Sequence, residues 1–227
     1  MLVKDNLQRV WERIARAAER VGRDPKEIKL VAVIKNVPDD LVFEALAAGV
    51  TDLGESRVQE AKIRAARIKA QFPQITYHMI GHLQRNKVGQ ALELFDIIQS
   101  VDSQRLLEEI NRRASNQVSV LIEVNTSGEQ TKFGAEIDRV EELVRFASSC
   151  DKIKVEGLMT VGPLGEDPEK VRSCFRKLRE LKDQILAMNF PRISMSCLSM
   201  GMTDDFEVAI EEGATMVRIG RAIFREG

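Results

Sequence analysis

Strand-like and helix-like stretches alternate along the whole of this 227-residue chain, and that alternation constrains the fold more than any other property. Short apolar runs suggest strands at 29–35, 50–54, 76–80, 95–101, 118–125, 153–160, 193–199 and 215–219. The segments between them, such as Ser103 to Ala114, Ile137 to Ser148, Glu169 to Met188 and Asp204 to Glu212, carry helical periodicity. Their lengths suit crossovers between parallel strands. A further helix opens the chain through Val3, Leu7, Val10, Trp11, Ile14 and Ala18 and ends near Gly22. Another begins at Pro38-Asp39-Asp40 and runs to Gly49, with proline at its start and glycine past its end. Strands and helices in this number and order predict an α/β protein, a (β/α)8 TIM-type barrel with an additional N-terminal helix on its outside. An open, doubly wound sheet is the alternative, because strand count alone cannot close a sheet. No linker, low-complexity run or repeat interrupts the pattern, so residues 1–227 read as one domain.

In such a barrel the functional groups gather where strands end. The first strand, Lys29-Leu30-Val31-Ala32-Val33-Ile34-Lys35, delivers an amine to that end. A lysine at an apolar mouth can lose its proton and attack an aldehyde, although most strand-end lysines are solvated charges. The last two strands run into Leu198-Ser199-Met200-Gly201-Met202-Thr203 and Val217-Arg218-Ile219-Gly220-Arg221. In barrels the loops after strands seven and eight often hold a phosphate with backbone N–H groups. Gly201 and Gly220 permit close backbone approach there, and Ser199 offers a hydroxyl donor. Arg218, inside the apolar strand Met216-Val217-Arg218-Ile219, needs a partner or a pocket. Alternation turns it away from Val217 and Ile219, toward the barrel, where it would donate to a pyridine nitrogen and hold it unprotonated. The other reading is a structural ion pair with Glu211 or Glu212. Lysine, paired loops and arginine together describe a site for pyridoxal 5′-phosphate (PLP), with the lysine forming the aldimine and the loops anchoring the phosphate.

Composition closes off other classes. Lys+Arg of 34 against Asp+Glu of 35 gives a net charge of -1, and aromatics are 5% of residues. There is neither a basic field to hold nucleic acid nor a supply of rings to stack on bases. Residues 1–23 interleave charges with apolar positions, unlike a signal peptide or membrane span. Cys150, Cys174 and Cys197 are odd in number and lack metal-ligand spacing, which reads as reduced thiols in a cytoplasmic protein. His78 and His82 are four apart on a strand entering a loop, without the glutamate a zinc-protease helix requires, so no metal is expected. His82 is expected to line or rim the pocket. Met159, ending the sixth strand, either packs on the cofactor ring or fills core. Asn125 to Gly134 reads as a solvated polar loop, the alternatives being that it orders over the pocket and that Lys132 reacts with free PLP. The cluster Lys62, Arg64, Arg67 and Lys69 reads as one solvated helix face.

Several blocks then resemble a known family in order along nearly the whole chain. These are Val31-Ala32-Val33-Ile34-Lys35, Gly54-Glu55-Ser56-Arg57-Val58-Gln59-Glu60, His78-Met79-Ile80-Gly81-His82-Leu83-Gln84-Arg85-Asn86-Lys87, Glu156-Gly157-Leu158-Met159-Thr160 and Leu198-Ser199-Met200-Gly201-Met202-Thr203-Asp204-Asp205. They look like the signature blocks of the PLP homeostasis proteins, a family similar to the N-terminal barrel domain of alanine racemase. The resemblance implies a single-domain PLP-binding barrel without established turnover, linked to control of vitamin B6 and amino-acid balance. It matches Lys35 to the aldimine lysine, Ser199, Gly220 and Arg221 to the phosphate region, and Arg218 to the partner of the pyridine nitrogen. The chain departs from the family at Ile34-Lys35-Asn36, where Ser-Lys-Thr is common, at Ser56, where Asn is common, and at Arg221, where Thr is common.

Three function classes follow. A carrier or regulator would buffer or deliver PLP, with apo-forms of PLP enzymes as partners, and is expected to be a cytoplasmic monomer. A racemase-like enzyme is disfavoured, because two-base racemisation in the resembling fold relies on a tyrosine from another domain and subunit. This chain has one tyrosine, Tyr77. A Schiff-base aldolase would use the same lysine and loops without a cofactor, and the resemblance sets it aside.

Overall fold

A computed structural model describes residues 2–129, 132–163 and 167–225. Its strands are β1 Lys29–Val33, β2 Asp52–Glu55, β3 Thr76–Met79, β4 Ile97–Val101, β5 Val118–Asn125, β6 Ala135–Glu136, β7 Ile153–Met159, β8 Ile193–Ser199 and β9 Met216–Ile219. Each strand expected from sequence is present. The order β4-β3-β2-β1-β9-β8-β7-β5 closes through a β4–β5 pairing, with every neighbour parallel. This is a closed eight-stranded barrel, and the open-sheet alternative is excluded. The two-residue β6, too short to leave a sequence signal, adds to the side of β5.

Helices α1 Leu2–Arg20, α2 Asp39–Ala47, α3 Val58–Gln71, α4 Val88–Leu94, α5 Gln104–Arg113, α6 Val140–Ser149, α7 Pro168–Ala187, α8 Phe206–Glu211 and α9 Arg221–Phe224 surround it. The main core lies between barrel and helices, where alternate strand residues such as Leu30, Ala32, Leu53 and Tyr77 meet helix residues such as Val42, Ala61, Phe175 and Phe206. α1 is the extra outer helix and seals the junction of the first and last strands. Asn6 Nδ2 donates to Ile223 O (3.1 Å) and Arg225 O (3.3 Å), while Arg13 forks onto Glu207 at 3.1 and 2.9 Å. Among the described residues no helix is long and apolar enough to cross a membrane.

Barrel interiors are usually filled by branched apolar side chains. Here Gln99 on β4 bonds to Ser199 on β8 (2.7 Å) and contacts Met216 Sδ on β9 (3.1 Å). Those strands lie across the barrel from β4, so the contacts pass through its centre, and the centre is polar.

Candidate functional site

β1 ends at Val33, and the chain turns through Lys35 and Asn36, closed by Val37 N–H donating to Ile34 O at 3.1 Å. Asn36 takes φ 56°, a left-handed conformation that asparagine tolerates better than most residues. Lys35 is exposed at this turn. Arg64, from α3, donates to Ile34 O (3.1 Å) and Val37 O (3.2 Å), bracketing the turn on both sides. This corrects the expectation of a solvated basic face. Lys62, Arg67 and Lys69 are exposed, whereas Arg64 is folded under, its side chain only 13% exposed. The carbonyls that draw it in belong to another element, which helix periodicity cannot reveal.

On the neighbouring strand, Arg218 pairs in register with Val31 and is buried. It does not meet Glu211 or Glu212. Glu211 pairs with Arg20 and Arg172, and Glu212 with Arg172, Arg176 and Arg179. Instead Arg218 Nη1 donates to Ser199 Oγ (2.6 Å) and Nη2 to Thr160 O (2.7 Å). Burial pushes the guanidinium below its ordinary value, and the charges of Glu123 and Asp205 pull it back up. It still keeps its proton, so a cation faces the barrel with uncharged contact partners.

Ser199 is fully buried, and its one hydroxyl hydrogen goes to Gln99 Oε1 (2.7 Å). Its side chain therefore serves Arg218 as an acceptor rather than offering a free donor. Gln99 Nε2 meets His78 Nδ1 (2.9 Å), and His78 Nε2 meets Asp52 Oδ1 (2.9 Å). His78 is thus a core residue.

The loops after β8 and β9 form one unit. Arg218 N–H donates to Gly201 O (2.9 Å), and Met202 N–H to Asp205 Oδ1 (2.5 Å). Gly201 has φ 92°, and a Cβ there would stand 2.6 Å from Ala209 Cβ, so only glycine suits the turn. A Cβ on Gly220, the N-cap of α9, would stand 3.1 Å from Val33 O, which places this loop against the end of β1. The Arg221 side chain pairs with Asp204 on the surface. What it offers the site is its backbone N–H in the first turn of α9.

Met159 is fully buried, paired in register with Glu123 on one side and Ser199 on the other. Glu123, absent from the expected site, is buried with Oε2 lacking a partner. Burial, reinforced by Asp102 and opposed by Arg218, raises its carboxyl to about 7. The hint in sequence is a carboxylate ending the apolar run Val120-Leu121-Ile122. Around the same rim His82 lies 3.4 Å from Asp102 and stacks on Phe133 at 4.2 Å. Lys132 bonds Glu129 (2.7 Å) and Gly162 O (3.3 Å), so the described part of this loop is tied to the rim; residues 130 and 131 lie outside the described residues. Tyr77 packs outward on Phe95 (5.1 Å) in the barrel–helix core.

A strand-end amine, two glycine loops meeting beside it, and a buried cation with unspent N–H donors form a fit for a flat aromatic aldehyde carrying a phosphate. Among the described residues no group of side chains could hold a metal ion. A family model described as the N-terminal domain of alanine racemase matches residues 6–226. The pyridoxal phosphate homeostasis protein of Aquifex aeolicus is 44% identical over 225 residues, covering 98% of this chain and 97% of the relative. The human protein of that name is 36% identical over 234 residues, covering 97% and 85%. Among solved structures, PipY of Synechococcus elongatus with PLP bound superposes with a TM-score of 0.82 at 32% identity, covering 95% of this chain and 99% of that one.

Proposed function

This chain belongs to the pyridoxal phosphate homeostasis protein family, built on the alanine racemase N-terminal domain, and on that premise we propose that it binds PLP covalently through Lys35 and carries or buffers it in the cell. The observation that carries the reading is Arg218, a buried arginine with uncharged partners beside β1, the strand that leads into the Lys35 turn. Bound PLP supplies an aldehyde for the amine and a pyridine ring that can draw electrons from an attached amino acid. The Arg218 guanidinium donates toward the ring nitrogen and keeps a proton off it, leaving the ring a weak electron sink. The Gly201 and Gly220 loops and the first turn of α9 hold the phosphate through backbone N–H groups. Met159 contributes to the pocket wall. Tyr77, turned into the outer core, is remote from any role as a racemase base. The reading is a non-catalytic, monomeric, cytoplasmic protein that hands PLP to apo-enzymes; the names of its relatives and the PLP-bound PipY support the PLP homeostasis part of it.

The experiment is to load the protein with PLP, reduce with borohydride and locate the label by peptide mass spectrometry. A label on Lys35 is expected, and no uptake, or a label only on another lysine, overturns the proposal. Amino-acid turnover at ordinary enzyme rates, roughly 1 per second or faster, would overturn the non-catalytic assignment.

Two smaller effects follow from the geometry. Gly220→Val should crowd Val33 and push back the phosphate loop, weakening PLP about tenfold more than pyridoxal, which lacks the phosphate. Equal losses in a titration of both ligands would move the phosphate to another loop. Arg64→Met should free the Lys35 turn and slow covalent uptake of PLP by about tenfold, the scale of losing hydrogen bonds from a charged donor. Stopped-flow absorbance checks this, and an unchanged rate would leave Arg64 a bystander.

A further inference from the structure

Five side chains form one hydrogen-bonded line through the centre of the barrel, and an ion pair extends it to a sixth. Arg218 Nη1 donates to Ser199 Oγ (2.6 Å), Ser199 to Gln99 Oε1 (2.7 Å), Gln99 Nε2 to His78 Nδ1 (2.9 Å), and His78 Nε2 to Asp52 Oδ1 (2.9 Å). Asp52 closes the line with Lys29 Nζ (3.2 Å) and accepts a further bond from Thr51 Oγ1 (2.8 Å). Ser199, Gln99 and His78 are each 0% exposed. Lys29 and Asp52 border a cavity of 490 Å³ among the starts of the strands, at the mouth opposite Lys35.

The sense of every bond is forced. A guanidinium has no acceptor, so Ser199 Oγ must accept from Arg218 and send its single hydrogen to Gln99. That fixes the amide with oxygen toward Ser199 and nitrogen toward His78. His78 Nδ1 must then accept, and its hydrogen sits on Nε2, facing the carboxylate. Such a line runs from cation to anion, and aligned bonds polarise one another. Asp52 is buried, yet its bonds to His78 and Thr51 and the charge of Lys29 hold its carboxyl below the usual range, as an anionic end requires.

We propose that Gln99, His78 and Asp52 are positioning residues for the cofactor site. They lock the Ser199 hydroxyl as an acceptor and so pin Arg218 where it meets the pyridine nitrogen. This rests on the PLP reading for its ligand, though the line itself is a property of the chain alone.

Gln99→Leu fills similar space but offers no acceptor, whereas Gln99→Glu keeps one: the new carboxylate accepts from Ser199, and His78 takes a proton to face it. Space-filling alone predicts that leucine is tolerated and a buried carboxylate is harmful, and positioning predicts the reverse order. Gln99→Leu should weaken PLP about tenfold and leave unchanged the affinity for a 1-deaza analogue, whose ring nitrogen is carbon. Gln99→Glu should bind PLP within about threefold of the parent protein, well under one hydrogen bond to a charged group. Leucine and parent binding PLP alike, or leucine losing both ligands equally, would overturn the proposal. The protein without PLP gives a second test that needs no variant to fold. The 15N shifts of His78 should show the neutral ring with hydrogen on Nε2, and hydrogen on Nδ1 would refute the line. Failure of the parent protein to take up PLP, with the His78 tautomer as expected, would sink the PLP reading and not the line.

Discussion

Lys35→Ala is expected to leave a folded barrel to which borohydride no longer fixes any PLP. Lys35 is exposed at the turn after β1 and none of the hydrogen bonds that hold that turn comes from its side chain. Its removal should therefore change stability by no more than about 0.5 kcal/mol, the usual range for surface positions. The phosphate loops and Arg218 remain, so a weaker, freely dialysable complex should persist. Charge-assisted bonds to the phosphate, each worth roughly 1.5–3 kcal/mol, would sustain it. The measurements are the cofactor absorbance of the variant before and after reduction and dialysis, together with its thermal unfolding. Lys132, on the loop after β5, is a competitor, but it is engaged by Glu129 and Gly162 O. Covalent label persisting at full yield in the variant would place the reactive amine elsewhere.

The second large effect is a pH dependence of stability that starts at Glu123. Its carboxyl is raised by burial, with Asp102 adding and Arg218 subtracting, from 4.5 to about 7. Below about pH 4.5 the group is neutral in both folded and unfolded chains and contributes no difference. As pH rises through the interval up to 7 the unfolded chain releases this proton first. Stability is lost over that range and the loss is complete above it. A shift of this size corresponds to about 3 kcal/mol at most. Glu123→Gln keeps the shape and removes the titration. In urea unfolding at about pH 5 and about pH 8, the variant should gain on the parent protein by up to about 3 kcal/mol between the two. A parent–variant difference constant with pH would show that Glu123 is ionised in the fold at no cost.

The barrel was legible in sequence because closely spaced apolar runs and crossover-length helices leave few other arrangements. Lys35 and Arg218 were legible for a related reason, since a charge at the end of or within an apolar strand stands out. Gln99, Asp52 and Glu123 were not, because a polar residue in a strand faces solvent as readily as a barrel interior. Only closure sets β4 opposite β8, and with it Gln99 opposite Ser199. Ser199 itself was read as a donor to phosphate. The structure spends its hydrogen on Gln99, a partner whose approach depends on the whole ring of strands. Arg64 illustrates the same limit on a helix: periodicity gives its face, and the carbonyls of the Lys35 turn decide where it points.

The placement of β9 between β8 and β1 bears on the order in which the pocket can assemble. Lys35 lies on the turn after β1 and Arg218 on β9, so the two are brought together only when strands far apart in sequence have paired. Until then β1 has a bare edge, and pairings this far apart in sequence form slowly. On the PLP reading, cofactor uptake would therefore report a closed barrel.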